Sequence, residues 1–324
     1  LQATPGSQKE KMLLPPVFAY EEEDFALQGV EWPASRQLSP FERVLQSGWE
    51  DKMKRGLFRY PLGDLQTWIL PGTVGFVAQL NIQRGVERRR PEEIHSLQQP
   101  FDPQQFNFNK IQPMEVLFYL SKGGPPCLGR TQSPAGPACI LVVINVSPLE
   151  FGHILLVPSP ALSLPQFLTP EALRFGLHVL LSAHPCFYMN WELLASLYRL
   201  QEAPAPGFFF LLEKLTHHVV QVTIGASLVK KVKKEIAHNL FITRGARPEG
   251  PIHSEAHPGI RITVWPWRAC FGAKEESAFN VALCEWAGLL PIKTAQDFKD
   301  LTEASAIQIT QKYLLSAARV GGTH

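Results

Sequence analysis

Asn145 and His153 are the two polar residues of this sequence that are best placed to do chemistry together. They lie in residues 138–158, ACILVVINVSPLEFGHILLVP, where two apolar runs flank a turn that contains serine, proline and glycine. This pattern predicts two adjacent antiparallel strands. The first strand would end at Asn145 and the second would begin at His153, so both side chains would lie at one end of a sheet, where a ligand could meet both. The alternative is a buried hairpin in which Asn145 only caps the turn.

Further strands and amphipathic helices are predicted around this hairpin. Residues 67–83 alternate well enough for a strand, and HNLFITRG (238–245) and GIRITVWPW (259–267) indicate two more. Helical spacing of apolar residues predicts a helix from Pro170 to His184. A helix that is capped by Ser39 is also predicted, with an apolar face made of Phe41, Val44, Leu45 and Trp49. Together these elements predict an α+β fold with a largely antiparallel sheet and flanking helices.

Length and composition allow one large core. The chain has 324 residues, of which 45% are apolar, and length alone would also permit two domains. We expect a single globular unit over residues 41–320. Residues 1–40 contain several prolines and an acidic patch without a sustained period, which predicts a poorly ordered leader with short docked pieces.

Charge and cysteine content narrow the class of protein. A net charge of +2 is too small to indicate nucleic acid as a partner. No apolar segment is long enough to span a bilayer, and the start of the sequence lacks the order of a signal peptide, so we expect a cytoplasmic protein without a membrane partner. Five cysteines without a C-x-x-C pair argue against a disulfide framework and a structural zinc site. No metal or cofactor is predicted.

Several segments resemble a known family. NVSPLEFGHILLVP is similar to the first strand pair of the histidine-triad superfamily, and specifically of the GDP-D-glucose phosphorylase family, the animal relatives of the plant GDP-L-galactose phosphorylases. The resemblance continues in family order through FRYPLGDLQTWILPGTVGFVAQLNIQRGVERRRP (58–91), FDPQQFNFNKIQPMEVLF (101–118), EIAHNLFITRGA (235–246) and AFNVALCEWAGLLPIKTAQDFKDLTEA (278–304). It implies a histidine-triad-like fold and the conversion of GDP-D-glucose and inorganic phosphate to GDP and glucose 1-phosphate through a guanylylated histidine.

The resemblance also implies roles for individual residues. Asn145 would contact ribose hydroxyls. Independently of the resemblance, His153 precedes an apolar strand, where an imidazole can hydrogen-bond across the turn and hold Asn145 in place. His238 and Asn239 would open a strand at the substrate end and contact the sugar or phosphate.

Two basic positions have open alternatives. FNFNK (106–110) alternates as an edge strand would, and the resemblance places it near the nucleotide, where Lys110 could meet a phosphate. The alternative is an ordinary amphipathic strand with Lys110 in solvent. The basic run 88–90 could likewise face a phosphate or form a solvated loop.

The catalytic motif of the resembled family does not occur here. That motif places two histidines at alternate positions of a buried strand, so that both face one phosphate and one attacks the α-phosphorus. In this chain LASLYRL (194–200) occupies the equivalent region, and the motif histidine is absent between Ala195 and Gly207. None of the ten histidines in the sequence is separated from another by a single residue. We therefore assign no catalytic residue.

Three interpretations follow from the sequence. The chain could be a defective or alternatively spliced form of an active phosphorylase. It could be a non-catalytic protein that binds GDP-sugars. It could also be an interaction module that uses the basic helix predicted at 228–236.

Overall fold

The computed structural model describes residues 15–26, 37–63, 65–88, 101–123, 140–158, 160, 170–183, 210–215, 238–245, 259–266 and 277–313. The strands are β1 (Val17–Tyr20), β2 (Thr67–Ile69), β3 (Val77–Leu80), β4 (Val116–Lys122), β5 (Ile140–Ile144), β6 (Ile154–Pro158), β7 (Phe210–Leu215), β8 (His238–Gly245), β9 (Gly259–Pro266) and β10 (Leu289–Ile292). The helices are α1 (Pro40–Lys54), α2 (Ile82–Glu87), α3 (Pro170–Ser182), α4 (Leu283–Trp286), α5 (Ala295–Asp300) and α6 (Glu303–Gln311), and short 3-10 turns lie at Glu22–Asp24, Phe108–Lys110 and Pro113–Glu115.

The first sheet contains the predicted hairpin. Its strand order is β1-β4-β5-β6, with β5 antiparallel to both β4 and β6. β5 is buried along its whole length, as expected for a continuous apolar run in the middle of a sheet. The register places Ile144 opposite Ile154, so the next residues, Asn145 and His153, face each other where the strands end. The prediction of two adjacent antiparallel strands is therefore confirmed.

β1 lies within the predicted leader and is one of its docked pieces. It pairs in parallel with the edge of β4. Tyr20 is buried, and its hydroxyl lies 2.8 Å from Nδ1 of His178 on α3. Burial lowers the pKa of His178, so that its ring stays neutral beside the tyrosine. This contact joins the start of the chain to the helix that covers the same sheet.

The predicted N-cap of α1 is confirmed. Ser39 Oγ accepts from the backbone N–H of Glu42, and the Glu42 carboxylate accepts from the backbone N–H of Ser39 at 2.6 Å, which forms a capping box. Ser39 Oγ also donates to the Ser182 carbonyl at 2.6 Å and so ties α1 to the end of α3. The core face is narrower than predicted because Val44 is 36% exposed, whereas the remaining apolar residues of that face, Phe41, Leu45 and Trp49, are buried.

The prediction of one strand over residues 67–83 is wrong. The segment forms the antiparallel hairpin β2–β3 followed by α2, and β10 joins β3 in parallel to complete a second sheet. Gly75 has a φ of 70°, which a turn at this point requires and which glycine tolerates best. The turn is held by Glu303, whose carboxylate accepts from the backbone N–H groups of Thr73, Val74 and Gly75 at 2.7–2.9 Å.

The predicted strands in the second half of the chain are confirmed. β8 pairs with β7 on one side and with β9 on the other, both antiparallel, in a third sheet. The α+β class is therefore confirmed, and antiparallel pairs predominate over the two parallel ones. The described strands form three sheets, where the sequence predicted one largely antiparallel sheet.

FNFNK does not form the predicted edge strand. Phe108–Lys110 is a 3-10 turn, and Asn107 caps it by accepting from the backbone N–H of Asn109. Phe108 packs against an apolar cluster on the first sheet that includes Val143 and Val157. Local asparagine capping favours a turn over the extended conformation that alternation suggests. No helix in the part of the chain that the structure describes is long and apolar enough to cross a membrane.

Candidate functional site

Asn145 and His153 form a polar cluster at the end of the β5–β6 pair, in which each side chain is hydrogen-bonded to the loop between them. Asn145 Nδ2 lies 3.1 Å from His153 Nε2, and Asn145 Oδ1 accepts from the backbone N–H of Ser147 at 3.0 Å. Nδ1 of His153 accepts from the backbone N–H of Leu149 at 3.1 Å. Gly152, with a φ of 76°, turns the chain so that His153 can reach back across the loop. The side chains therefore organise the loop that lies between them.

The cluster contains more hydrogen-bond donors than acceptors. A neutral imidazole has one N–H and one acceptor nitrogen. Because Nδ1 of His153 accepts from Leu149, the ring proton belongs on Nε2, which faces the amide group of Asn145. The amide oxygen of Asn145 is engaged by Ser147, so N–H groups remain without an internal acceptor. A hydroxyl or phosphate oxygen is the kind of acceptor that would satisfy these N–H groups.

His153 is held in its neutral form. Burial, together with the nearby positive charge of Arg84, lowers its pKa to about 3. A neutral ring at physiological pH maintains the acceptor at Nδ1 on which the turn depends.

Donors from a distant segment hold the loop between Asn145 and His153. Four successive loop carbonyls, from Val146 to Leu149, each accept a hydrogen bond from residues 59–84. The donor and acceptor pairs are Arg59 N–H to Val146 O at 2.9 Å, the Arg84 guanidinium to Ser147 O, Tyr60 Oη to Pro148 O at 2.5 Å, and Gln79 Nε2 to Leu149 O at 3.5 Å. We call these four bonds the carbonyl clamp. They fix the backbone on which both polar side chains depend.

Gln79 makes a second contact that reinforces the clamp. Its Nε2 also donates to the Glu150 carboxylate at 2.6 Å. Burial raises the pKa of Glu150, and the bond from Gln79 opposes that shift. Burial likewise raises the pKa of Tyr60, so its hydroxyl stays protonated and remains a donor.

A basic cleft adjoins the clamp and shares Arg84 with it. The cleft lies between α2 and the segment around β10, and its charged lining consists of Arg84, Arg88, Lys293 and Glu285. Asn81, Gly85, Asn280 and Pro291 complete the lining. The cleft thus contains three cationic side chains and one carboxylate.

The remaining predicted contacts lie elsewhere or are not described. The ammonium group of Lys110 donates to the carbonyls of Gln104 and Gln105 at 2.8 and 2.7 Å, within its own segment. His238 and Asn239 open β8 in the third sheet, opposite Pro266 and Trp265, and their side chains are outside the described part of the structure.

The structure describes only part of the basic run 88–90 and none of the segment where the catalytic motif was expected. In the run 88–90, Arg88 follows α2 and lines the cleft, and the other two arginines lie outside the described residues. The region between Ala195 and Gly207 also lies outside them.

Sequence reasoning missed the clamp and most of the cleft. Arg84 and Lys293 lie about 200 positions apart, and no local spacing connects them. The polar residues Gln79 and Asn81, at the end of an otherwise apolar strand, were the available signal, because buried polar side chains require partners.

Comparison with known proteins identifies relatives along almost the whole chain. Residues 40–201 match the family described as GDPGP1-like, N-terminal domain, and residues 187–321 match GDPGP1-like, C-terminal domain. GDP-D-glucose phosphorylase 1 of Bos taurus is 46% identical, with 94% of this chain and 89% of the relative covered. The Homo sapiens protein of the same name is 45% identical, with 91% and 87% covered. GDP-L-galactose phosphorylase 1 of Arabidopsis thaliana is 26% identical, with 86% and 71% covered.

The alignment also shows a difference in length. The aligned stretch with the Bos taurus protein is 352 residues long, which exceeds the 324 residues of this chain, so the relative contains residues that have no counterpart here. No solved structure matches the chain.

Proposed function

Because the chain belongs to the GDPGP1-like family of GDP-D-glucose phosphorylases, we propose that its site binds GDP-D-glucose and inorganic phosphate, the substrates of a GDP-sugar phosphorylase. The observation that carries this proposal is the Asn145–His153 cluster, which has N–H groups without an internal acceptor. Ribose hydroxyls are acceptors of the required kind, and the clamped loop holds Asn145 ready to meet them.

The reaction of a GDP-sugar phosphorylase has two balanced steps. A histidine nitrogen forms a bond to the α-phosphorus, and the bond from that phosphorus to the bridging oxygen breaks. The leaving group is glucose 1-phosphate, which contains the former β-phosphate and the bridging oxygen. Inorganic phosphate then attacks the guanylylated histidine, which releases GDP and restores the imidazole. Each step requires a nucleophile in line with the bond that breaks.

This chain has no histidine for the first step in the expected place. The motif is absent between Ala195 and Gly207, and no pair of histidines occurs at alternate positions anywhere in the sequence. His153 cannot substitute, because the lone pair of its Nδ1 is engaged by Leu149 and Nε2 carries the proton. We propose that the chain retains the nucleotide site and has lost the covalent step, which makes it a GDP-sugar-binding member of an enzyme family.

The other predicted contacts belong to the same proposal. Lys110 would reach a phosphate by exchanging two neutral carbonyl acceptors for a charged one, which is the stronger partner. His238 and Asn239 would contact the sugar or phosphate from the start of β8. A histidine-triad-like arrangement of the strands and a cytoplasmic location complete the proposal.

Calorimetric titration of the whole chain with GDP tests the nucleotide site. We expect saturable binding by the wild type and binding that is about tenfold weaker in Asn145→Ala, since a hydrogen bond of about 1.5 kcal/mol is lost. Gln308→Ala, which removes an exposed amide on α6, is the matched control and should bind as the wild type does. A flat titration with GDP, or equal affinities in Asn145→Ala and the wild type, would refute the assignment.

A further inference from the structure

We propose that the cleft lined by Arg84, Arg88 and Lys293 is a separate oxyanion subsite that takes inorganic phosphate. The identity of the anion as inorganic phosphate rests on the proposed function. That an anion binds at all rests on the charge and the hydrogen-bond donors of the cleft. Nucleotide contacts are assigned to the Asn145–His153 cluster, so the subsite provides a place for the second substrate.

The charge of the cleft favours an anion. Two of its cations, Arg84 and Arg88, come from α2 and its end, and Lys293 follows β10. Glu285 is the one carboxylate of the lining, and its Oε2 already accepts from the backbone N–H of Ala282 at 2.7 Å. The lining therefore has an excess of two positive charges, which a phosphate dianion matches.

Arg84 keeps its charge available to the cleft. Its hydrogen bond within the clamp goes to the Ser147 carbonyl, which is a neutral acceptor. The field of the guanidinium reaches His153, whose pKa it helps to lower. A bidentate guanidinium is well suited to phosphate recognition because its N–H groups form a fixed fork.

Asn81 adds a neutral donor at the same place. It is 3% exposed and lines the cleft, and its Nδ2 makes no hydrogen bond of good geometry to a described atom, although the side chain lies close enough to Tyr60 to lower the pKa of that hydroxyl. Its Oδ1 accepts from the backbone N–H of Arg84 at 3.0 Å, which fixes the orientation of the amide. A buried amide donor without a partner is costly unless a ligand or water accepts from it.

The two walls of the cleft are joined directly. The backbone N–H of Asn81 donates to the Ile292 carbonyl at 2.9 Å, and that of Lys293 donates to the Ala278 carbonyl at 3.1 Å. A Cβ built on Gly85 would lie 3.2 Å from the Cβ of Lys293, so a larger residue there would push the two segments slightly apart. The cations are thus held on packed backbone, which reduces the ordering cost of binding an ion.

The position of the subsite fits the role of a second substrate. Arg84 touches the Ser147 carbonyl two residues after Asn145, so an anion that binds Arg84 lies beside the nucleotide cluster. A phosphate that reacts with a nucleotide must approach it, and a subsite that shares one residue with the nucleotide loop keeps that proximity even though this chain lacks the covalent step.

Titration of the whole chain with inorganic phosphate in the absence of nucleotide, at constant ionic strength, tests the subsite. We expect saturable binding by the wild type and binding three- to tenfold weaker in Lys293→Gln, because one charge-assisted contact at a partly exposed site is lost. Lys299→Gln removes an exposed lysine of α5 and is the matched control, with unchanged affinity expected. Arg88→Gln serves as a second test if Lys293→Gln does not fold, which a thermal melt reveals.

Two results would overturn the proposal. The first is no phosphate binding by the folded wild-type chain, and the second is equal phosphate affinity in the wild type and the folded cleft variants. A GDP titration without phosphate separates this failure from that of the proposed function. If GDP binds but the phosphate affinity does not change in Lys293→Gln and Arg88→Gln, only the subsite is refuted. If GDP does not bind, the nucleotide site is refuted, and the phosphate titration still tests the subsite by itself.

Discussion

Among the single residues of the site, we propose that His153 positions the loop and does not act as a replacement nucleophile. Attack on phosphorus needs an imidazole lone pair directed at the substrate. Nδ1 of His153 directs its lone pair at the N–H of Leu149, and Nε2 faces Asn145. A pKa of about 3 also makes this nitrogen a weak base. The ring is arranged to shape the loop that presents Asn145.

The neutral state of His153 predicts a pH dependence of stability. Its pKa in the folded chain is about 3, below the ordinary value of 6.5, so below pH 6.5 the unfolded chain binds a proton that the folded chain does not. The free energy of unfolding is therefore highest, as far as His153 is concerned, above pH 6.5, and it decreases as the pH falls from 6.5 toward 3. The loss approaches, at most, about 1.4 kcal/mol per pH unit. Urea unfolding of the wild type and His153→Gln at pH 5, 6 and 7 should show a smaller loss in the variant.

Other histidines do not obscure this comparison. His178, whose pKa is also lowered by burial, contributes equally to both proteins and cancels in the difference. Parallel stability profiles of the wild type and His153→Gln between pH 5 and 7 would contradict the assigned state of the ring.

Among the strands and helices, the sequence predicted those elements whose formation depends on neighbouring residues. The β5–β6 hairpin follows from two apolar runs around a turn, and α1 follows from its capping residue and its apolar face. The strand predicted over 67–83 was wrong because Pro71, Gly72 and Gly75 lie in a turn, a local signal that the alternation concealed. Glu303, more than 200 residues away in the sequence, holds that turn. Alternation in FNFNK was misleading because Asn107 caps a 3-10 turn.

The carbonyl clamp supports the backbone of the candidate site, and a substitution of Tyr60 tests this role. Tyr60 is buried, and its hydroxyl donates to the Pro148 carbonyl at 2.5 Å. Tyr60→Phe leaves that carbonyl without its donor, so we expect a loss of about 1–3 kcal/mol in the free energy of unfolding and weaker binding of GDP. Chemical denaturation and calorimetry provide the two measurements.

Tyr119→Phe is the matched control for this substitution. The hydroxyl of Tyr119 has no hydrogen-bond partner among the described residues, so its removal should change neither stability nor GDP affinity appreciably. Equal behaviour of Tyr60→Phe and Tyr119→Phe would show that the clamp does not support the site.

At the scale of the whole molecule, the site is assembled from parts that are far apart in the chain. Residues 59–84 clamp the loop 145–153, and residues 280–293 close the cleft on the other side of α2. Resemblance to a family could indicate Asn145 because that residue lies in a recognisable motif. It could not indicate Arg84 or Lys293 as neighbours, because their proximity is created by the pairing of β3 with β10.

We propose that this chain keeps a GDP-sugar site without the histidine that performs the covalent step. The most direct test of this claim is an assay of GDP and glucose 1-phosphate release from GDP-D-glucose and phosphate, with the folded chain and the Bos taurus relative assayed side by side. We predict that the relative turns over and that this chain is slower by several orders of magnitude, since loss of a covalent nucleophile typically has that effect. Release at a rate close to that of the relative, or recovery of a guanylylated peptide that contains His153, would contradict the claim.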